Sequence, residues 1–236
     1  MIAVAPAPAP RPVWTTGIVD LHHHDALNDL DEAVRDGLVA LIHKVTEGKD
    51  WTDPRAKARL TAARARGVLC GAYHFGSASA DGATQAAFFL RTVAGLGLDG
   101  LLLALDLEHN PGSAGTMSTA EAVAFCEAMH AATGRWPLFY AGLSDLKNRV
   151  ATANAMQRAT LSRCPLWLAA YGPDPAKITP PNVWPAYALH QYTNGGAGPH
   201  DGVAWPTHMQ GIGGCDRSAF RGTRDELAAW WGSAGR

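Results

Sequence analysis

The stretch that most constrains this chain is Leu101-Leu-Leu-Ala-Leu-Asp-Leu-Glu-His-Asn110, an unbroken apolar run that ends in two carboxylates, Asp106 and Glu108. Bounded by Gly100 and by Asn110-Pro111-Gly112, it reads as a strand buried on both faces. Residues i and i+2 of a strand share a side, roughly 6.6 Å apart along the chain, so Asp106 and Glu108 project together from its C-terminal end. In parallel α/β folds that end is where active sites are built. Two carboxylates this close push each other's pKa apart, so that one keeps a proton while the other stays ionised. Glycoside hydrolysis needs that division of labour. A capped strand end carrying two solvated acids fits the same residues.

Around this strand, buried runs alternate with helical segments. Residues 17–22 read as a first strand delivering Asp20, with His22, His23 and His24 just beyond, and 30–35 as a short helix. A second strand is expected at 38–45, a loop at 46–54 and an Arg/Ala-rich helix at 56–66 with Gly67 as its C′ residue. Residues 68–75 read as a third strand and 83–94 as a helix; after the opening strand come a helix at 119–132 and a fifth strand at 137–141. The rhythm then changes: strands at 166–171 and 188–193 flank a Pro-rich stretch with little helical promise, a Gly-rich loop leads to Cys215-Asp216, and 225–231 reads as a closing helix. The β/α alternation implies a parallel sheet with right-handed crossovers. The helix-poor second half implies a barrel completed mostly by strands. The class is α/β, in a single domain over 14–236.

Composition narrows the function. A chain of 236 residues, 47% hydrophobic, buries a sizeable core. A formal net charge of −1 gives no argument for nucleic acid or an anionic membrane surface. Eight Trp favour flat ligands such as sugar rings, although cores use Trp too. Cys70, Cys126, Cys164 and Cys215 form no Cys-x-x-Cys pair and read as small core residues, with a disulfide as the alternative. Residues 1–13 read as a flexible Pro/Ala leader without the basic and apolar regions of a secretory signal. Synthesis in the cytoplasm, export by another route and no membrane insertion are therefore the expectations.

Several ordered motifs together resemble the lysozymes of glycoside hydrolase family 25. Val19-Asp-Leu-His-His-His24 is similar to that family's opening Asp-Val-Ser-His, Lys44-Val-Thr-Glu-Gly48 to its Lys-Ala-Thr-Glu-Gly, and Gly71-Ala-Tyr-His-Phe75 to its Gly-x-Tyr-His-Phe. Asp106-Leu-Glu108 matches its Asp-x-Glu, and Leu166-Trp-Leu-Ala-Ala-Tyr171, Gln191-Tyr-Thr193 and Asp216 follow in order. His22 in place of Ser, and His190 where Trp often precedes Gln-Tyr, are departures. The resemblance implies a flattened, TIM-like (β/α)5(β)3 barrel. It also implies a muramidase that cuts the β-1,4 bond between N-acetylmuramic acid and N-acetylglucosamine in peptidoglycan glycan strands, with no cofactor or metal. A monomer is expected.

By the same match Glu108 is the general acid, and Asp106 stabilises or positions the reacting centre, as a covalent nucleophile or as the helper of an attacking substrate acetamido group. Asp20 and Asp216 complete an acidic floor. Tyr73, Tyr140, Tyr171 and Tyr192 lie at or near strand ends, where rings stack on pyranose faces and hydroxyls bond N-acetyl groups. Trp167 and Gln191 join them as substrate-binding candidates, and barrel-rim packing is the alternative for each ring. Lys44, buried by its strand, needs a carboxylate partner, for which Glu47 is placed. Two rival functions use the same residues. One is a metal-dependent TIM-barrel hydrolase built on His22 and His24 with His74, His190 and Asp216. The other is a non-catalytic peptidoglycan-binding module. The route to a wall, as phage endolysin, secreted effector or housekeeping enzyme, is left open.

Overall fold

A computed structural model describes residues 12–112, 114–198 and 204–235. Nearly all of the Pro/Ala leader lies outside the described residues. In chain order the elements are β1 (Trp14–Leu21), α1 (Leu30–Arg35), β2 (Ala40–Glu47), β3 (Trp51–Thr52), α2 (Ala56–Arg64), β4 (Leu69–Phe75), α3 (Gly82–Leu96), β5 (Leu102–Asp106) and α4 (Thr119–Thr133). They continue with β6 (Leu138–Gly142), α5 (Leu143–Thr152), α6 (Ala155–Leu161), β7 (Leu166–Ala169), β8 (Leu189–Asn194), β9 (His208–Met209), β10 (Gly213–Gly214), β11 (Asp216–Arg221) and α7 (Arg224–Ser233).

Eight strands close a barrel in the order β1-β2-β4-β5-β6-β7-β8-β11, parallel except that β11 runs antiparallel to both β8 and β1. The first five barrel strands are each followed by a helix, and the last three follow one another with no α-helix between them before α7 closes the chain, which is the expected (β/α)5(β)3 plan. Two expectations needed correction. The loop placed at 46–54 contains β3, which folds back on the end of β2 as a short antiparallel ribbon. The helix-poor second half holds two further helices: α5 places Leu143, Leu146 and Val150 at i, i+3 and i+7, and α6 starts from a capping box of Asn154 and Gln157.

Strand alternation sorts the core into two bodies. Val19, Leu41, Leu105, Phe139 and Leu168 face outward and pack under the helices with Leu60, Phe89 and Phe125. The inward set, Ile18, Ile42, Leu102, Leu138, Trp167 and Leu189, fills the lower barrel, where Leu227 and Trp231 of α7 close the bottom. The Trp231 indole N–H donates to the Cys70 carbonyl at 3.0 Å. Burial of a side chain such as Leu227 contributes about 1.5–3 kcal/mol. Helices α3 and α4 touch at Gly82, where a Cβ would lie 1.9 Å from the Glu121 carbonyl oxygen, so only glycine fits. The four cysteines are free and buried. Among the described residues no helix is long and apolar enough to cross a membrane.

With the bottom of the barrel packed by apolar side chains, the inward positions at the C-terminal ends of the parallel strands are left for polar groups. Asp20, Lys44, Asp106, Tyr140 and Gln191 occupy them.

Candidate active site

Asp106 is the last residue of β5, paired in register with Phe75 and Tyr140. Beyond it the Leu107 amide still donates to the Tyr140 carbonyl, at 2.9 Å. This keeps the strand's alternation for one more step: Leu107 is fully buried on the outer side, and Glu108 is half-buried at the mouth. Asp20 near the end of β1 stands opposite Asp216 in the sheet register. Asp216 opens β11, and because that strand runs antiparallel to β1 it lies at the same end of the barrel as Asp20. The four acids line one cavity of about 250 Å³ with His22, Lys44, Tyr73, Phe75, Tyr140 and Trp167.

Burial pushes every one of these carboxyls up. For Asp106 desolvation comes first and the Glu108 charge second, while Lys44 pulls the other way. For Asp20 desolvation again leads, followed by Asp216. Asp216 is pushed to about 7 by desolvation, with Asp25 and Glu108 adding to it. Glu108 is raised by desolvation, against a hydrogen bond from Tyr140 that favours its ionised form. Asp106 is thus pushed further up than Glu108, whereas the sequence reading has Asp106 ionised beside a protonated Glu108. The reason is depth: Asp106 is 8% exposed, and its Oδ1 is buried with no hydrogen-bond partner among the described residues. Lys44 supplies the one opposing attraction, and its ammonium is itself held by Glu47 at 2.6 Å.

Gln191 organises the far wall. Its amide nitrogen donates to both oxygens of Asp20 at 2.9 and 3.1 Å, and its carbonyl accepts the hydroxyls of Tyr140 at 2.8 Å and Tyr171 at 2.6 Å. Tyr73 and Trp167 are buried in the cavity wall, with the Trp167 indole N–H on Ser218 at 2.8 Å and its ring edge-on to Tyr140. Tyr171 stands at the rim, partly exposed. Tyr192 does not join this set. It follows Gln191 on one strand and so faces the other way, where its hydroxyl donates to the Pro206 carbonyl and its ring meets Trp205.

A second hollow, a groove of about 650 Å³, meets the cavity at Glu108 and runs along Gly142, Leu143, Asp145, Ala170 and Tyr171. The sequence reading missed this wall, which α5 and the chain after β7 provide; the apolar spacing of Leu143, Leu146 and Val150 was the signal for it.

The metal-ligand set does not assemble. His22 reaches the cavity, but His74 lies outside the barrel between Thr46 and Gln85 and stacks on Phe125. His190 also points outward and is bonded to the Ala170 carbonyl at 2.8 Å. Burial lowers both imidazoles to about 4.

The profile of Glycosyl hydrolases family 25 matches residues 19–201. Lysozyme M1 of Streptomyces globisporus is 28% identical over 230 residues, covering 92% of this chain and 72% of that protein. The N,O-diacetylmuramidase of Chalaropsis sp. is 33% identical over 175 residues, covering 66% of this chain and 80% of the relative. Among solved structures, a family GH25 lysozyme from Aspergillus fumigatus superposes with a TM-score of 0.72 at 27% identity, covering 92% of this chain and 98% of its own. Carboxylates gathered at the mouth of a (β/α)5(β)3 barrel, a profile match over most of the chain and these relatives agree, and the chain belongs to glycosyl hydrolase family 25 and is a glycoside hydrolase.

Proposed function

We propose that this protein is a muramidase that hydrolyses the β-1,4 bond between N-acetylmuramic acid and N-acetylglucosamine in peptidoglycan, with Glu108 as general acid. The observation that carries this reading is the position of Glu108 at the junction of two hollows, the acidic cavity on one side and the open groove on the other. A glycan laid across that junction places one sugar in each hollow and its bridging oxygen beside the Glu108 carboxyl. The names of the relatives, lysozyme and muramidase, point to the same substrate.

Asp106 and Glu108 titrate as a coupled pair, and its working state carries one proton. Lys44 favours the charge on Asp106 and Tyr140 that on Glu108; we place the proton on Glu108 because that carboxyl faces the junction where the bridging oxygen lies. In the reaction that proton moves to the bridging oxygen as the bond from the anomeric carbon breaks. Positive charge spreads over that carbon and the ring oxygen, and the Asp106 carboxylate offsets it in a low-dielectric cavity. Glu108, now ionised, accepts a proton from the attacking water, and the Tyr140 hydroxyl is placed to steady its charge in the interval. The buried Asp106 oxygen without a partner suits a second task, accepting the N–H of the substrate acetamido group as that group turns toward the anomeric carbon.

The test is digestion of purified peptidoglycan followed by identification of the new reducing end. Muramic acid there supports the proposal, and glucosamine there rejects it.

A further inference from the structure

We propose that His22 is a substrate-binding residue of this chain, its imidazole Nε2–H donating to an uncharged oxygen on the edge of the cavity sugar away from the bond to be cut; this rests on the muramidase reading. His22 lies just past the end of β1 and lines the catalytic cavity with Asp20, Asp106, Glu108 and Asp216. It is also a position where the chain departs from the motifs it otherwise follows, with an imidazole in place of Ser.

The turn that carries His22 is held from several sides. Its amide donates to Asp25 Oδ2 at 2.6 Å, and its carbonyl accepts the Asp25 amide at 3.1 Å and Arg59 Nη1 at 2.9 Å. Arg59 also reaches the Asp25 carbonyl at 2.7 Å, so one guanidinium of α2 clamps both ends of the turn. The ring is oriented in turn: its Nδ1 accepts the His24 amide at 3.1 Å. The Asp25 carboxylate stands 3.7 Å from the same nitrogen, too far to bond it. An imidazole nitrogen that accepts an N–H carries no proton, so the neutral ring bears its proton on Nε2. Burial holds His22 below the ordinary imidazole range, against the pull of Asp25 and with Lys44, His23 and His24 acting in the same direction as burial, so the ring is neutral near pH 7. The His23 and His24 rings meet it at 57° and 85° and leave its side chain 39% exposed. Nε2–H has no partner among the described residues.

The surroundings define the acceptor. Of the nitrogen donors on the cavity wall, the Trp167 indole is spent on Ser218 and Lys44 is a cation held by Glu47, so the neutral N–H comes from His22. Four acids in the same wall repel a carboxylate, which makes the acceptor an uncharged oxygen of hydroxyl or ether type. In the order of the eight barrel strands β1 stands nearly opposite β5, so His22 lies across the mouth from Glu108. A sugar with its anomeric carbon beside Glu108 turns its other edge to His22.

The experiment combines NMR of ¹⁵N-labelled histidines with kinetics, using a peptide-free strand of four alternating N-acetylglucosamine and N-acetylmuramic acid sugars. In the Glu108→Gln chain, which retains the strand uncut, the His22 signals are identified by their loss when His22→Gln is added. They are expected to show the Nε2–H tautomer and to shift when the strand binds. In the otherwise wild-type chain, His22→Leu is expected to raise KM about two- to tenfold with kcat little changed, as loss of one neutral hydrogen bond predicts. His22→Gln keeps an N–H within reach and should restore most of that loss. A proton on Nδ1, His22 signals that stay still as the strand binds, or a wild-type KM in His22→Leu overturns the assignment and leaves the muramidase reading intact. A loss in His22→Leu that His22→Gln does not restore also overturns it, because the effect is then one of packing. No cleavage of the strand by the wild type overturns the muramidase reading itself.

Discussion

Gln191 holds Asp20 by both carboxylate oxygens, at 2.9 and 3.1 Å, across the barrel seam where β1 and β8 flank β11. The same side chain accepts the Tyr140 and Tyr171 hydroxyls, so one amide sets the geometry of three groups around the cavity. Gln191 is 1% exposed, so its amide is shielded from bulk solvent. Gln191→Leu is expected to destabilise the fold by about 1–3 kcal/mol for each buried group left without a partner. It also removes the bond that opposes the burial of Asp20, so the Asp20 carboxyl moves further up. Thermal unfolding and a pH–rate profile check both effects. An unchanged Tm would show that the amide is not needed to hold the seam.

Asp216 gives the stability of the fold a pH dependence of definite sign. Its carboxyl sits at about 7 against an ordinary 3.8, raised first by burial and then by Asp25 and Glu108. Between those values the native state holds a proton that the unfolded chain has lost. The stability associated with this proton is full below the unfolded value and is lost as pH rises through 7. Asp216→Asn removes that loss. The variant should melt above the wild type at pH 8, by roughly 2–4 °C for each kcal/mol recovered, and close to it at pH 4. A gap of equal size at both pH values would assign the effect to packing instead.

How much of this was legible in the sequence depends on which period a residue obeys. The shared side of Asp106 and Glu108 followed from strand alternation, and the gathering of Asp20 and Asp216 with them was implied by the family resemblance; both arrangements are found. Tyr192 was misplaced by neglect of the same rule, since Gln191 and Tyr192 are adjacent and cannot both face the cavity. The groove wall at Leu143 to Lys147 belongs to α5, whose short apolar stripe was overlooked between two strands. The depth of Asp106 was beyond the reach of pattern. Alternation gives a residue's side but not how far below the rim it lies, and depth decides which carboxyl is harder to ionise.

Tyr140 is expected to tune the alkaline limit of activity. Its hydroxyl, which donates to Gln191 in the resting site, can turn its one proton to ionised Glu108 and so holds that carboxyl down against burial. In Tyr140→Phe the bond is absent, ionised Glu108 is less stable, and its pKa rises. The alkaline limb of kcat/KM therefore moves to higher pH. Loss of one hydrogen bond also lowers stability by about 0.5–1.5 kcal/mol. A limb that moves to lower pH would contradict the assignment of Tyr140 as the partner of the charged form.

Glu108→Gln is expected to abolish turnover while leaving glycan binding nearly unchanged. Gln keeps the shape and reach of the side chain at the junction of cavity and groove but has no proton to deliver to the leaving oxygen. General-acid catalysis contributes roughly 10²–10⁴-fold, and the contact with substrate persists, so the loss belongs in kcat rather than KM. Asp106→Asn removes the charge that offsets the developing cation and also slows the reaction. Because both residues serve one transition state, the double variant should lose far less than the product of the two single losses. The pH profile supplies an independent reading. In the wild type the rate falls at high pH as the pair gives up its one proton and at low pH as it takes up a second, both carboxyls being raised by burial. Residual activity in Glu108→Gln should lack the alkaline limb. Wild-type kcat in this variant, measured on purified peptidoglycan, would remove Glu108 from the acid's role and the mechanism with it.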